Sequence, residues 1–111
     1  MSSPDRLITP VELTTSSASP IYTSPANTTT VIKSAVVCET TAATILLSVW
    51  VVPSAGSVAD STKLYNAKSI GASTTVALSE LNNCVLEAGD KLYAIGDVGS
   101  ALTMHLSGLT V

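Results

Sequence analysis

The stretch Thr28–Val52, TTTVIKSAVVCETTAATILLSVWVV, decides the fold. It holds two apolar, β-branched runs separated by a short polar segment, Glu39 to Ala43. Branching at Cβ stiffens these side chains and suits them to a pleated sheet better than to a helix. A two-stranded ribbon buries too little surface to stand alone in water, so the pair predicts a hairpin at the centre of a larger all-β domain. In the first run, alternation sets Ile32, Ser34, Val36 and Cys38 on one face and Val31, Lys33, Ala35, Val37 and Glu39 on the other. Lys33 and Glu39 mark the second face as the wetter one. In the second run Ile45, Leu47, Val49 and Val51 oppose Leu46, Ser48, Trp50 and Val52. Both of its faces are apolar, as in a strand covered on both sides. Trp50, the lone tryptophan, either fills the space between two sheets or lies in a subunit contact.

Upstream, Pro10, Pro20 and Pro25 lack the N–H that a central strand needs. Residues 1–19 therefore read as an extended N-terminal arm or edge strand, ahead of a single domain over 20–111. Ser24-Pro25-Ala26-Asn27 is a turn leading into the first long run. Downstream, Pro53 to Ser57 breaks the pattern, and a strand resumes over Lys63 to Ile70 with either Leu64 and Ile70 or Tyr65 and Ala67 inward. Gly71-Ala72-Ser73 turns the chain into the alternating Thr74, Val76 and Leu78. Ser79 to Asn83 is a helical turn or a loop over Leu81. Cys84 to Leu86 and Lys91 to Ile95 are strands around the turn Glu87-Ala88-Gly89-Asp90, and Gly96 to Ser100 closes another hairpin. In the last strand Leu102, Met104 and Leu106 face one way and Thr103, His105 and Ser107 the other. About eight or nine short strands, spaced roughly ten residues apart, predict an antiparallel β-sandwich of jelly-roll-like form.

A chain of 111 residues is long enough for one real core. Only 12% of it is charged, while Ser and Thr supply most of the polarity. So sparse a charge predicts a surface covered in part by neighbours, that is, assembly; a Ser/Thr-coated monomer is the alternative. The formal charge of −3 and five scattered basic residues argue against a nucleic-acid partner, which requires clustered Lys and Arg. No apolar run reaches the roughly 20 residues of a membrane span. The opening MSSPDRLITP lacks a basic segment followed by an apolar one, which predicts synthesis in the cytoplasm, with Cys38 and Cys84 reduced and acting as small buried hydrophobes.

No pattern for catalysis emerges. His105 is the only histidine, and no strand-turn context selects a serine nucleophile to pair with it. Cys38, Cys84 and His105 lack metal-ligand spacing, and the acidic residues form no calcium loop. Glu87 and Asp90 flank a tight turn, where Asp bonds nearby backbone N–H groups. Asn27-Thr28-Thr29 fits a glycosylation acceptor but reads more simply as a turn. No catalytic residue, cofactor or metal is therefore expected.

Four stretches carry a resemblance. Ile21–Cys38, IYTSPANTTTVIKSAVVC, is similar to the opening of small tailed-bacteriophage virion proteins, where a tyrosine-containing strand, a P-A-(N/G)-T turn and a T-x-V-I-K-S strand precede an x-V-x-L-V-P strand. Leu47–Pro53 matches that last strand, and Val85–Leu92 and His105–Gly108 resemble later parts of the group. The likeness runs from about Leu13 to Leu109. It implies a non-enzymatic β-sandwich that works by assembly, as a capsid decoration (cement) protein, a tail protein or a fibre module. On that reading the partners are the major capsid protein and further copies of the chain, as a dimer or trimer, with no nucleic acid or membrane; the location is the virion, after synthesis in the host cytoplasm. Candidate partner contacts are Leu7, Ile8, Val11 and Leu13 on the arm, reaching for a neighbour's sheet edge, and Trp50. The alternative is a tail or fibre-associated module binding host-surface carbohydrate through exposed aromatics among Trp50, Tyr22, Tyr65 and Tyr93.

Overall fold

The computed structural model describes residues 5–8, 10–16, 20–99 and 101–110. Its strands are β1 (Asp5–Arg6), β2 (Val11–Glu12), β3 (Tyr22–Thr23), β4 (Thr30–Glu39), β5 (Ile45–Val52), β6 (Lys63–Ile70), β7 (Thr75–Ala77), β8 (Cys84–Leu86), β9 (Lys91–Gly96) and β10 (Leu102–Thr110). They form two antiparallel sheets. In the first, β10 and β4 lie side by side, with β1 and β2 along the free edge of β10 and β7 and β8 along the free edge of β4. The second runs β3-β9-β5-β6. Between them lies one core, in which Ile32, Ala35 and Val37 of β4 and Leu102, Met104 and Leu106 of β10 meet Ile45, Leu47 and Val49 of β5, Leu92 of β9 and Ile70 of β6. The architecture is the expected antiparallel β-sandwich.

The central pair is not a hairpin. β4 belongs to the first sheet and β5 to the second, so residues 40–44 carry the chain across the core. Facing sheets bury both apolar runs against each other, which edge-to-edge pairing would not do. The same correction applies to Gly96 to Ser100, which joins β9 in one sheet to β10 in the other. β5 and β6 are the sequential strands that pair with each other, across residues 53–62. The remaining crossings, from β2 to β3, β3 to β4, β6 to β7 and β8 to β9, give the jelly-roll-like winding.

The faces of β4 also differ from simple alternation. Against β10, Ser107 opposes Ser34 and Gly108 opposes Ile32, leaving Lys33 as a bulge. One extra residue reverses the phase, so Ile32 shares the core face with Ala35 and Val37, and Val31, Val36 and Cys38 face outward. Gly108 is required by this geometry. A Cβ there would sit 2.2 Å from the Val31 carbonyl oxygen and 3.1 Å from Ile32 Cα. Glu39, expected on the wetter face, is carried inward with Val37 and is buried. β6 has a comparable irregularity: Ala67 adopts φ 51°, and the strand turns both Tyr65 and Ile70 to the core, so neither register read from the alternation holds along its whole length.

Candidate functional surfaces

The residues expected to meet a partner are largely used by the fold itself. Leu13 is 1% exposed and donates its N–H to the Leu102 carbonyl at 2.8 Å, while Leu7 N–H reaches the Leu106 carbonyl at 2.9 Å. Leu7, Ile8 and Val11 are half-buried and pack against the core. The N-terminal segment thus lies along β10 as an edge strand rather than reaching outward. Its opening residues 1–4, together with 9 and 17–19, fall outside the described part. Trp50 is 7% exposed and lies on the outer face of the second sheet, opposite Tyr93 and Lys63 on the flanking strands. Lys63 Nζ stands 5.1 Å from the ring centroid. The ring is therefore neither between the sheets nor open to a neighbour; the chain's own lysine covers it, through a cation–π contact.

Two of the stretches that carry the family resemblance meet in a clasp at one end of the sandwich. Ser24 N–H donates to the Asp90 carbonyl at 2.8 Å, and Gly89 N–H to the Ser24 carbonyl at 2.9 Å. The Asp90 carboxylate accepts from Glu87 N–H at 2.9 Å and from Ser54 N–H at 3.0 Å, which ties the end of β5 into the same joint. Beneath it, the hydroxyls of Tyr22 and Thr30 are 2.9 Å apart and those of Ser24 and Thr30 are 3.0 Å apart, a network that satisfies buried polar atoms. Gly89, at φ 84°, supplies the left-handed turn. These residues join strands; none of them faces an open cleft.

Four titratable groups are perturbed by structural contacts. Burial pushes the Tyr65 phenol up to about 12, helped by its hydrogen bond to the Glu80 carboxylate at 2.6 Å. The same bond holds Glu80 below the usual carboxylate range. Glu39 is pushed up by burial, but bonds from the Thr41 hydroxyl and N–H and from Ser73 N–H outweigh this and hold it low. Its Oε1 accepts from Thr41 N–H, while Oε2 is buried without a partner. Cys38 and Cys84 are free thiols near opposite ends of β4, and burial, with the charge of Asp90, pushes the Cys84 thiol up. Among the described residues, no group of three or more His, Cys, Asp or Glu could hold a metal ion.

Two features of the first sheet's outer face remain. Val31 opposes both Val85 on β8 and Leu109 on β10, so three apolar side chains form one row across the sheet, and Val85 is 53% exposed. Beside β10, a recess of about 260 Å³ is lined by Arg6, Ile8, Pro10, Ser34, His105, Leu106 and Ser107. Neither was evident from the sequence, because both depend on the bulge at Lys33 and on where β1 docks. The chain matches no protein-family model, no curated protein and no solved structure.

Proposed function

We propose that this chain is a structural protein of a tailed-bacteriophage virion, a capsid decoration protein that binds across junctions between major capsid protein subunits and stabilises the head. The observation that carries this reading is the apolar row Val85–Val31–Leu109 on an otherwise sparsely charged sheet face. Such a row costs free energy in water and gains it when a partner covers it. Contact with two shell subunits at about 800 Å² each would cover more than a quarter of the 5698 Å² that the chain exposes. That share accords with a composition only 12% charged. Packed DNA stresses a capsid shell, and surface buried across a junction adds binding free energy that must be lost before the two subunits part. Copies of the chain would associate as a dimer or trimer around the same junctions, in the virion.

The carbohydrate-binding alternative has less support, since Trp50 and Tyr65 are each 7% exposed and offer little open ring face for stacking. The deciding measurement is copy number in purified particles. A number comparable to that of the major capsid protein is expected; a handful of copies per particle would move the protein to the tail and overturn the reading.

A further inference from the structure

The recess beside β10 brings together four polar side chains that the fold does not otherwise use. Arg6 of β1 opposes Ser107 of β10, and Ser107 opposes Ser34 of β4, so these three stand in one cross-strand row on the outer face. His105 lies two residues along β10 on the same face and is exposed. Among the described residues, none of the four spends its side chain on a hydrogen bond or ion pair. Among the described residues no carboxylate lines the recess, and Ile8, Pro10 and Leu106 form its apolar part. This concentration of free donors is unlike the rest of a chain whose net charge is −3.

From this convergence of an unpaired guanidinium, an imidazole and two hydroxyls on one part-apolar recess, we infer that the recess is a binding site for the carboxylate of a small organic acid. The planar fork of Arg6 matches a carboxylate through two parallel N–H donors, and the neutral hydroxyls of Ser34 and Ser107 add donors without excess charge. One guanidinium balances a monoanion; a phosphate dianion would call for a second fixed cation. Lys33, which precedes Ser34 on β4, is engaged with the Asn83 side-chain oxygen at 2.8 Å. At about 260 Å³, the recess falls below the roughly 300–1,000 Å³ of pockets for drug-sized ligands. A single small acid is therefore the matching occupant, with its carbon skeleton against Ile8 and Pro10. The inference stands apart from the virion reading and survives or fails independently of it.

The test is an amide NMR titration of the full chain with propionate, glucuronate, glucose and inorganic phosphate. Saturable shifts at Ser34, His105 and Ser107, with a Kd on the order of 1 mM, are expected with both acids and not with glucose. Arg6→Gln should weaken binding about tenfold or more while leaving the rest of the spectrum in place, and Arg6→Lys, which keeps the charge but not the fork, should fall between the two. Tighter binding of glucuronate would assign the source to an acidic sugar and tighter binding of propionate to a simple acid; either upholds the carboxylate site. Absence of saturable shifts, equal binding by Arg6→Gln, or phosphate binding more tightly than both acids would overturn it.

Discussion

At the scale of single residues, stability depends on a few positions whose roles follow from close approach or from an unusual ionisation. Gly108 is the sharpest case, because its missing Cβ is what lets the bulge at Lys33 close against the Val31 carbonyl. Gly108→Ala should cost about 3 kcal/mol, the upper range for overpacking, read as a lowered urea midpoint, and retention of the wild-type midpoint would count against the bulge geometry. Tyr65 and Glu39 each make stability depend on pH. A folded Tyr65 pKa of about 12, against an ordinary 10, means that the unfolded chain releases the phenolic proton first. Its contribution is therefore complete below about pH 10 and is lost as pH rises towards 12. Tyr65→Phe should remove that alkaline limb and cost about 1.5–3 kcal/mol at neutral pH, as for a bond to a charged acceptor. Glu39 works in the opposite direction: its lowered pKa gives stability that is present above the ordinary 4.5 and lost as pH falls through the folded value. Glu39→Gln should flatten the acid limb of a plot of urea midpoint against pH. None of these three roles could be read from the chain. A glycine near the end of a strand, a tyrosine in a strand and a glutamate after an apolar run carry no mark of what will stand opposite them.

At the scale of elements, strand existence was legible and strand partnership was not. The runs around Val31–Cys38 and Ile45–Val52 announce themselves by composition, and the alternation of β5 survives intact. Alternation says only that a strand has two faces, however, and a polar segment of a few residues serves equally well as a hairpin or as a crossing between sheets. That ambiguity is why β4 and β5, and again β9 and β10, were expected to pair and instead face each other. The bulge at Lys33 escaped for a related reason, since its cause is Gly108, far along the chain. The N-terminal segment was legible as an arm or edge strand, and β1 and β2 do lie along the edge of β10, which makes them an edge that stays at home. Residues 1–19 should therefore not be separable from the domain. Leu13→Ala should cost about 2–5 kcal/mol, as for other buried leucines, and removal of residues 1–19 should lower the unfolding midpoint at least as far while freeing the edge of β10 for self-association. A truncated chain that stays monomeric with an unchanged midpoint would show the segment to be dispensable.

At the scale of the whole molecule, the sandwich has two unlike exteriors. The second sheet's outer face is covered by its own chain around Trp50, which lies under Lys63, and Val52 is 1% exposed, while Leu46 and Leu64 on that face are 38% and 39% exposed. The first sheet's outer face is open, carrying the Val85–Val31–Leu109 row and the recess at Arg6. Attachment by the first sheet predicts that Val85→Asp leaves the fold and its midpoint nearly unchanged while lowering occupancy on particles, measured by the protein retained after sedimentation; undiminished occupancy would shift the attachment elsewhere. The long open edge of the second sheet, β6, is poorly suited to strand addition, since Ala67 bulges it and Lys63 and Lys68 charge it. The winding of the chain has a further consequence, in time rather than in space. Since six of the nine connections cross the core, few native contacts are local, and topologies of that kind fold in milliseconds to seconds rather than microseconds. β10, which every other strand of the first sheet but β7 and β8 must pair with directly, is also the last of the ten to leave the ribosome. The first sheet cannot close until Thr110 has emerged, so Ile32, Val37 and Leu13 wait uncovered through most of synthesis, and the nascent chain is a natural client for a holding chaperone.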